Sequence, residues 1–249
     1  MIDGMIDTVR GCLKEEIRMD IISNNLANST VIGFKKDRIS FKNLLENLRQ
    51  ETSNSENVQT GKRDLALLAI KCDMGPGDLR QTGDQLDFAI NGRGFFKIDT
   101  PSGIRFSRKG NFRLDLEGRI ITQEGNLVLG KGGPINVPRL TSQITVDQQG
   151  NISADNTNIG QFDLVDFENY EHLAKEGSGL FVNVMGDPGL VPPAETRIRQ
   201  GYVEMSNVDA ADEMVQMIHC MRAFESYQKA IKVLDGIDNR SVNEVGRLR

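Results

Sequence analysis

The triplet Gly92-Arg93-Gly94 is the first pattern in the chain that could do chemistry, because glycine-rich loops bind the phosphates of nucleotides. A dinucleotide-binding loop needs a third glycine three residues on, where this chain has Lys97. The residues after the triplet also read as a strand, whereas a phosphate-binding loop opens a helix. The pattern therefore indicates a hairpin turn and not a nucleotide site.

Residues that could bind metal or act as acids and bases are few and scattered. The two histidines, His172 and His219, have no cysteine or carboxylate at metal-ligand spacing. Carboxylate pairs such as Asp84 and Asp87 could serve a glycosidase on a β scaffold, but the sequence selects no particular pair. We expect no catalytic residue, no metal site and no cofactor.

The composition is that of an ordinary globular protein with an acidic balance. The 249 residues are 38% hydrophobic and 26% charged, with a net charge of −5. The tightest basic cluster, Lys35-Lys36-Asp37-Arg38, is short and interrupted by an aspartate. Because nucleic-acid binding needs a concentrated basic surface, we expect no nucleic-acid partner.

No stretch approaches the roughly 20 apolar residues of a membrane span, and the N-terminal residues lack the features of a cleaved signal peptide. We therefore expect no direct membrane span. The three cysteines, Cys12, Cys72 and Cys220, are odd in number and far apart. They indicate neither a disulfide framework nor a zinc site.

Both ends of the chain have the periodicity of amphipathic helices, predicted over residues 2–25 and 208–239. The C-terminal pattern alternates three-and-four spacing, as a coiled-coil seam does, and Ser206-Asn207 offers N-cap oxygens. Two apolar stripes of this kind must pack on each other or on another subunit. The N-terminal stripe is Ile2, Ile6, Val9, Leu13, Ile17 and Ile21, and the C-terminal seam is Met214, Met217, Met221, Phe224 and Ile231.

Between the helices the pattern changes to short strands with period two. Turn signals recur every eight to twelve residues from Gly75 onward, including Asn91-Gly92, which predicts a hairpin. Ahead of them, residues 39–48 could form a short helix, and residues 52–61 have the composition of a mobile loop. The predicted fold class is α+β: the terminal helices pair as a coiled-coil domain, and the centre is an all-β antiparallel sandwich or barrel.

This pattern predicts four regions along the chain. Residues 1–34 form the N-terminal helix of the coiled-coil core, and residues 35–74 form a connecting segment with the mobile loop. Residues 75–205 form the β domain, and residues 206–249 form the C-terminal helix.

Three stretches, at the beginning, middle and end of the chain, resemble the flagellar basal-body rod and hook family. The first is S-N-N-L-A-N at residues 23–28, leading to G-F-K at residues 33–35. The second is G-D-L-R-Q-T-G-D-Q-L-D-F-A-I-N-G-R-G-F-F at residues 77–96. The third is G-Y-V-E-M-S-N-V at residues 201–208. The length resembles the rod subunits and not the much longer hook subunit, and the C-terminal residues 224–229 and 241–249 resemble the proximal rod subunit more than the distal one.

The resemblance implies a structural subunit of the flagellar rod, which crosses the periplasm, and not an enzyme. It also implies export by the flagellar type III apparatus without a cleaved signal, and assembly with other copies and other rod and hook-basal-body proteins. The assembly interface that it implies comprises the two stripes together with Asn24, Asn25, Leu26, Asn28, Gly33, Phe34, Ile218 and Leu234.

Two readings from other classes stay open on the sequence alone. One is a carbohydrate-active or other enzyme built on the β domain, which a cleft with perturbed carboxylates would support. The other is a phage-tail or adhesin-like structural protein, which would lack the asparagine-rich and Gly-Phe turn after its first helix.

Overall fold

The computed structural model describes residues 2–40, 69–139, 141–184, 190–191 and 196–245. Helix α1 is Ile2–Ala27 and helix α2 is Ala210–Val245, close to the predicted limits. The predicted N-cap at Ser206-Asn207 is wrong, because Asp209 caps α2. Its carboxylate accepts hydrogen bonds from the backbone N–H of Ala211 at 2.9 Å and of Asp212 at 3.2 Å.

Nineteen short strands lie between the helices in the described residues. They are β1 Asp37–Ser40, β2 Ala69–Cys72, β3 Leu79–Gln81, β4 Phe88–Asn91, β5 Phe95–Thr100, β6 Gly103–Ser107, β7 Arg113–Leu114, β8 Ile120–Ile121, β9 Leu127–Gly130, β10 Gly133–Pro134, β11 Ile144–Val146, β12 Asn151–Ala154, β13 Thr157–Gln161, β14 Leu164–Phe167, β15 Leu173–Gly177, β16 Leu180–Asn183, β17 Leu190–Val191, β18 Arg197–Gln200 and β19 Tyr202–Glu204.

The predicted coiled-coil domain is wrong. In the described residues the protein has two α-helices, one at each end, and a body of antiparallel sheet. A coiled coil needs apolar side chains at every seam position along both helices. The predicted seam residues Met214 and Met221 are instead about half exposed, at 52% and 48%.

The β body is antiparallel in every strand pair whose register the described residues define. Ten strands form one sheet with the main order β15-β16-β6-β5-β9-β8-β7, to which β10, β14 and β17 are added at its sides. A second sheet is β11-β12-β13, and two separate pairs are β18-β4 and β19-β3. Short connections favour antiparallel pairing of strands that are neighbours in the sequence, since parallel strands need long crossovers, but pairs such as β18-β4 join strands that are far apart in the chain.

Strand β5 separates two hydrophobic cores because successive side chains of a strand point to opposite faces. Phe96 belongs to a core with Phe88 and Phe162. The ring centroids of Phe96 and Phe162 lie 5.5 Å apart, and those of Phe162 and Phe88 lie 5.1 Å apart. Phe95, the neighbour of Phe96, belongs to the other core, with Phe167 at 5.7 Å between ring centroids. Adjacent phenylalanines thus hold the sheet between two aromatic layers.

One turn design occurs three times in the β body, closing with glycine at the fourth position. Asp115, Thr122 and Asp147 each begin a turn in which the N–H of the glycine three residues later donates to their carbonyl oxygen, at 3.0–3.1 Å. The side-chain oxygen of each residue also accepts a bond from the backbone N–H four residues later, at 2.8–3.2 Å. These turns lie where glycine signals predicted them.

The hairpin predicted at Asn91-Gly92 is wrong. Strand β4 pairs with β18, whereas β5 pairs with β6, β9 and β14. A two-residue hairpin of this sequence needs a positive φ at both central residues. Gly92 has φ 117°, but Asn91 is an extended strand residue, so the chain passes from one sheet into another.

Two sequence predictions fall largely outside the described residues. The loop predicted at residues 52–61 lies wholly outside them, as do residues 41–48 of the short predicted helix. Ile39, the first apolar residue of that predicted helix, belongs to strand β1. Among the described residues, neither helix has an apolar stretch of the length that crosses a membrane.

The chain divides into two structural units. The first contains α1, β1 and α2, and the second contains Asn28–Lys36 and Lys71–Asn207. The chain therefore enters or leaves the second unit at four points, near residues 28, 36, 71 and 207.

Candidate assembly surface and buried ion cluster

Helices α1 and α2 pack antiparallel within the first unit, through a face that includes small and polar residues. The thiol Sγ of Cys220 lies 3.0 Å from the carbonyl oxygen of Glu15 and 3.2 Å from its Oε2. At Gly11 a Cβ atom would lie 2.6 Å from the ring of Tyr227. Glycine at this position therefore lets the tyrosine ring rest directly on the backbone of α1.

The Cys220 thiol is adapted to this contact as an uncharged donor. Burial, together with the hydrogen bond and the negative charge of Glu15, raises its pKa from 9.0 to about 11. Because the thiolate is the reactive form of cysteine, Cys220 is a packing residue and not a nucleophile.

The predicted apolar stripes lie beside this contact face and remain largely exposed. Ile6, Val9 and Leu13 of α1 keep 43%, 39% and 37% of their surface in water. On α2, Ile218 keeps 51%, similar to Met214 and Met221. Ile21 is buried, Asn24 is exposed, and the side chain of Ile2 lies outside the described part of the structure. The remaining predicted residues of the helices are half-buried: Ile17, Leu26, Met217, Phe224, Ile231 and Leu234.

Asn25 has a role within the chain that the sequence did not show. It is 2% exposed, and its side chain forms two hydrogen bonds with the backbone of Asp37: Nδ2 donates to the carbonyl at 3.0 Å, and Oδ1 accepts from the N–H at 2.9 Å. The amide thereby ties the last turns of α1 to the start of β1. Asn28, also a predicted interface residue, is half-buried in the second unit.

The second unit contains a buried cluster of three charged side chains around Glu204. Its Oε1 lies 2.5 Å from Nζ of Lys35, and its Oε2 lies 3.3 Å from Nη1 of Arg108. The three residues are 1%, 0% and 4% exposed, respectively. Buried charges of this kind are stable only when paired and hydrogen-bonded.

Backbone groups complete the hydrogen bonding of the cluster. Lys35 also donates to the carbonyl of Gly75 at 2.8 Å, and the N–H of Gly77 donates to Glu204 Oε1 at 3.0 Å. Arg108 donates to the carbonyl of Gly92 at 2.9 Å. Its Nε is the one buried side-chain nitrogen or oxygen of the described residues without a hydrogen-bond partner.

Burial has the largest effect on the titration of Lys35. Removal from water lowers the pKa of the lysine below 10.5, although the charge and hydrogen bond of Glu204 oppose the change. The ammonium group therefore depends on Glu204 for its charge compensation. The cluster carries two positive charges and one negative charge, so the loss of the carboxylate would leave two cations buried together.

The cluster joins the three stretches of sequence that carried the family resemblance. The N–H of Gly33 donates to the carbonyl of Glu204 at 2.7 Å, and the N–H of Met205 donates to the carbonyl of Asp78 at 2.8 Å. Close packing explains the glycines, since a Cβ on Gly77 would lie 2.0 Å from the carbonyl oxygen of Met205. Gly33 has φ 67°, which favours glycine.

Asn207 connects the same segments through its side chain. Its Oδ1 accepts from the N–H of Lys36 at 2.8 Å, and its Nδ2 donates to the carbonyls of Asp73 at 2.9 Å and Gly75 at 3.1 Å. Nearby, Nζ of Lys175 lies 4.2 Å from the ring centroid of Phe34 and donates to the carbonyl of Lys35. Three of the four points where the chain enters or leaves the second unit are thus bonded to one another.

The sequence predicted Gly33 and Phe34 as site residues but missed Lys35, Arg108, Glu204 and Asn207. In the sequence, Lys35 was only one member of a short basic cluster, and Arg108 lies outside the three motifs. Glu204 and Asn207 lay inside the third motif, so the likeness of that motif was the available signal. Glu204 pairs with Lys35, and Asn207 bonds to the backbone of Lys36, each across more than 160 residues, so spacing in the sequence could not predict these contacts.

The charged groups of the buried cluster bond mainly to partners inside the chain, and the helices carry exposed apolar side chains. Among the described residues, no group of three or more histidine, cysteine or acidic side chains could hold a metal ion. Terminal helices with exposed apolar side chains and an antiparallel β body are typical of a structural subunit.

Comparison with known proteins identifies the family. Residues 89–154 match the description "Flagellar hook protein FlgE/F/G D1 domain", and residues 199–244 match "Flagellar basal body rod FlgEFG protein C-terminal". The chain is 31% identical to the flagellar basal-body rod protein FlgG of Bacillus subtilis, over 98% of this chain and 99% of the relative. The FlgG of Buchnera aphidicola subsp. Schizaphis graminum is 33% identical over 94% and 96%, and the FlgF of Caulobacter vibrioides is 30% identical over 92% of each chain.

The chain belongs to the flagellar basal-body rod protein family, at the level of FlgF or FlgG. It is a structural rod subunit, and its location is the flagellar basal body. The resemblance found in the three motifs is therefore confirmed. Its partners include other flagellar basal-body proteins.

Proposed function

We propose that the protein builds the rod by packing its exposed helix surface against the same surface of neighbouring subunits. The observation that supports this is the row of apolar side chains left in water beside the α1–α2 contact: Ile6, Val9 and Leu13 on one helix, and Met214, Ile218 and Met221 on the other. These side chains would be covered in the assembled rod.

The energetics favour a polymer over an isolated chain. Removing apolar surface from water contributes roughly 25 cal/mol per Å², and in a rod the same contact would repeat from subunit to subunit. Within the chain, Ile21 and Ile22 are buried, but the six side chains named above keep 37–52% of their surface in water. The helix pair therefore gains much of its stability on assembly.

The partners that we propose are further copies of this chain, other rod and hook-basal-body proteins, and the flagellar type III export apparatus. Export in an unfolded state agrees with terminal helices that depend on assembly for their stability. The four-region organisation, with helical ends around a β domain, gives each end an assembly role. We further propose that the chain has no catalytic activity.

We place the subunit in the proximal rod, because residues 224–229 and 241–249 resemble that type. Site-specific cross-linking in assembled basal bodies tests this placement. Cross-links at the end of the rod that is farther from the hook would support the proximal placement, whereas cross-links at the hook end would assign the chain to the distal rod.

Met221→Asp tests the assembly surface, since it puts a charge into a contact that exists only between subunits. We expect a normal circular dichroism spectrum and secretion, but no incorporation into basal bodies and no motility. His219→Asp is the matched control, because the two positions lie about 160° apart around the helix. Loss of incorporation in the control, or normal incorporation of Met221→Asp, would contradict the proposal.

A further inference from the structure

Two arginines of strand β18 line a cleft on the second unit. The cleft has a volume of about 400 Å³, which lies within the range of ligand-binding pockets. Arg197 and Arg199 are both exposed, and Asn91, Gln148 and Tyr202 are among the other lining residues. Because residues two apart on a strand point to the same face, the two guanidinium groups start from one side of β18.

Within the described residues, neither arginine has a carboxylate partner, and the same holds for Arg80 and Arg113 of this unit. Four other arginines each pair with a carboxylate: Arg93 with Asp166, Arg105 with Glu176, Arg108 with Glu204 and Arg119 with Asp115. Within the part of the chain that is described, no carboxylate pairs with Arg197 or Arg199. The Arg199 guanidinium instead lies over the ring of Tyr202, with 5.0 Å between its Cζ and the ring centroid.

The cleft has a rigid frame and free polar groups. The amide of Gln200 donates to the carbonyls of Gln85 and Ile144 at 2.8 Å each and accepts from the N–H of Val146 at 3.1 Å. It therefore fixes one wall against β11. The side-chain amides of Asn91 and Gln148, by contrast, form no hydrogen bond within the described residues.

We propose that this cleft binds an acidic peptide segment of a neighbouring protein in the assembly. Guanidinium groups bind carboxylates through paired hydrogen bonds, and the two free amides can bond to the peptide groups between them. A nucleic acid fits less well, because a chain with a net charge of −5 lacks the broad basic surface that phosphates need. The proposal rests on the proposed function only in placing such a partner next to the chain.

A peptide-binding measurement with the full-length protein tests the cleft by itself. Fluorescein-labelled hexaglutamate is titrated with the protein at low salt, and its anisotropy is measured. We expect saturable binding that R197Q/R199Q weakens by about tenfold or more. R80Q, which changes an exposed arginine of β3 outside the cleft, should keep the affinity within about twofold.

Four outcomes would overturn the proposal: no binding of hexaglutamate, unchanged binding by the double variant, equal loss with R80Q, or tighter binding of a single-stranded oligonucleotide. Circular dichroism establishes that each variant is folded. The measurement needs no rod, so failure of the cleft and failure of Met221→Asp to block assembly are separate results.

Discussion

At the scale of single residues, Glu204 has the most demanding position in the protein. It is almost fully buried, and its two carboxylate oxygens receive hydrogen bonds from Lys35, Arg108 and the backbone of Gly77. A buried pair contributes modestly to stability when intact, but removing one partner leaves an uncompensated charge in the interior.

We expect Glu204→Gln to destabilise the second unit by about 3–5 kcal/mol, because two cations would then lie buried without an anion. Chemical denaturation followed by near-UV circular dichroism measures the change. Glu176→Gln is the control, since Glu176 pairs with Arg105 on the surface, where screening by water leaves little effect. Equal denaturation midpoints for the two variants would show that the buried cluster is not a stability determinant.

At the scale of elements, periodicity predicted the existence of both helices but not the face each one buries. The stripe from Ile6 to Leu13 is a true amphipathic face, yet α2 packs on the neighbouring face, where Gly11 and Glu15 lie. Hydrophobic spacing locates a surface that must be covered, but it does not say whether the same chain covers it. The coiled-coil prediction was wrong for this reason.

The close contact at Gly11 gives opposite expectations for two glycine-to-alanine changes. In the interior of α2, Gly236→Ala meets nothing within 4 Å and should stabilise the helix by about 1 kcal/mol through propensity. Gly11→Ala should lose this gain, because its Cβ would collide with Tyr227. Thermal unfolding followed at 222 nm compares them, and equal stabilisation by both would contradict the packing at Gly11.

The repeated turn predicts acid sensitivity at Asp147. Burial raises the pKa of its carboxyl, but hydrogen bonds from the side chain of Asn151 and from three backbone N–H groups outweigh that effect and lower the pKa below 3.8. A lowered pKa contributes stability above the unfolded-state value, and this contribution is lost as the pH falls through the folded-state value.

Asp147→Asn should therefore be less stable than the native protein at neutral pH, by about 0.5 kcal/mol or less because water screens this exposed carboxylate, and the difference should shrink as the pH falls below 3.8. Urea denaturation at several pH values measures the difference. A difference that is constant with pH would show that the charge of Asp147 plays no part. Asp163→Asn is a comparison outside the repeated turns.

At the scale of the whole molecule, turn signals and short strands predicted an antiparallel body well, because glycine and its neighbours fix turns locally. Which strands pair could not be read from the sequence. Phe95 and Phe96 look alike in a list of apolar residues, but they belong to different cores, and β4 pairs with β18 from more than 100 residues away. The buried cluster was missed for the same reason, since Lys35 and Glu204 meet only in the folded chain.

Limited proteolysis of the monomer should cut the helical ends before the β body. The second unit has two aromatic cores, whereas the helices leave apolar surface in water. Mass spectrometry should find a resistant core close to Lys71–Asn207. Resistant termini in a dilute monomer would show that the helix pair is stable without neighbours.

The bonding of three chain crossings to one another has a mechanical consequence. A tensile force on any one of the segments near residues 36, 73 and 207 loads the ion pairs of Glu204 and the hydrogen bonds of Asn207 together. Bonds that share a load in parallel must break together, whereas bonds that are loaded in sequence break one after another at lower force. The second unit should therefore resist a pull at these three segments more than single hydrogen bonds would.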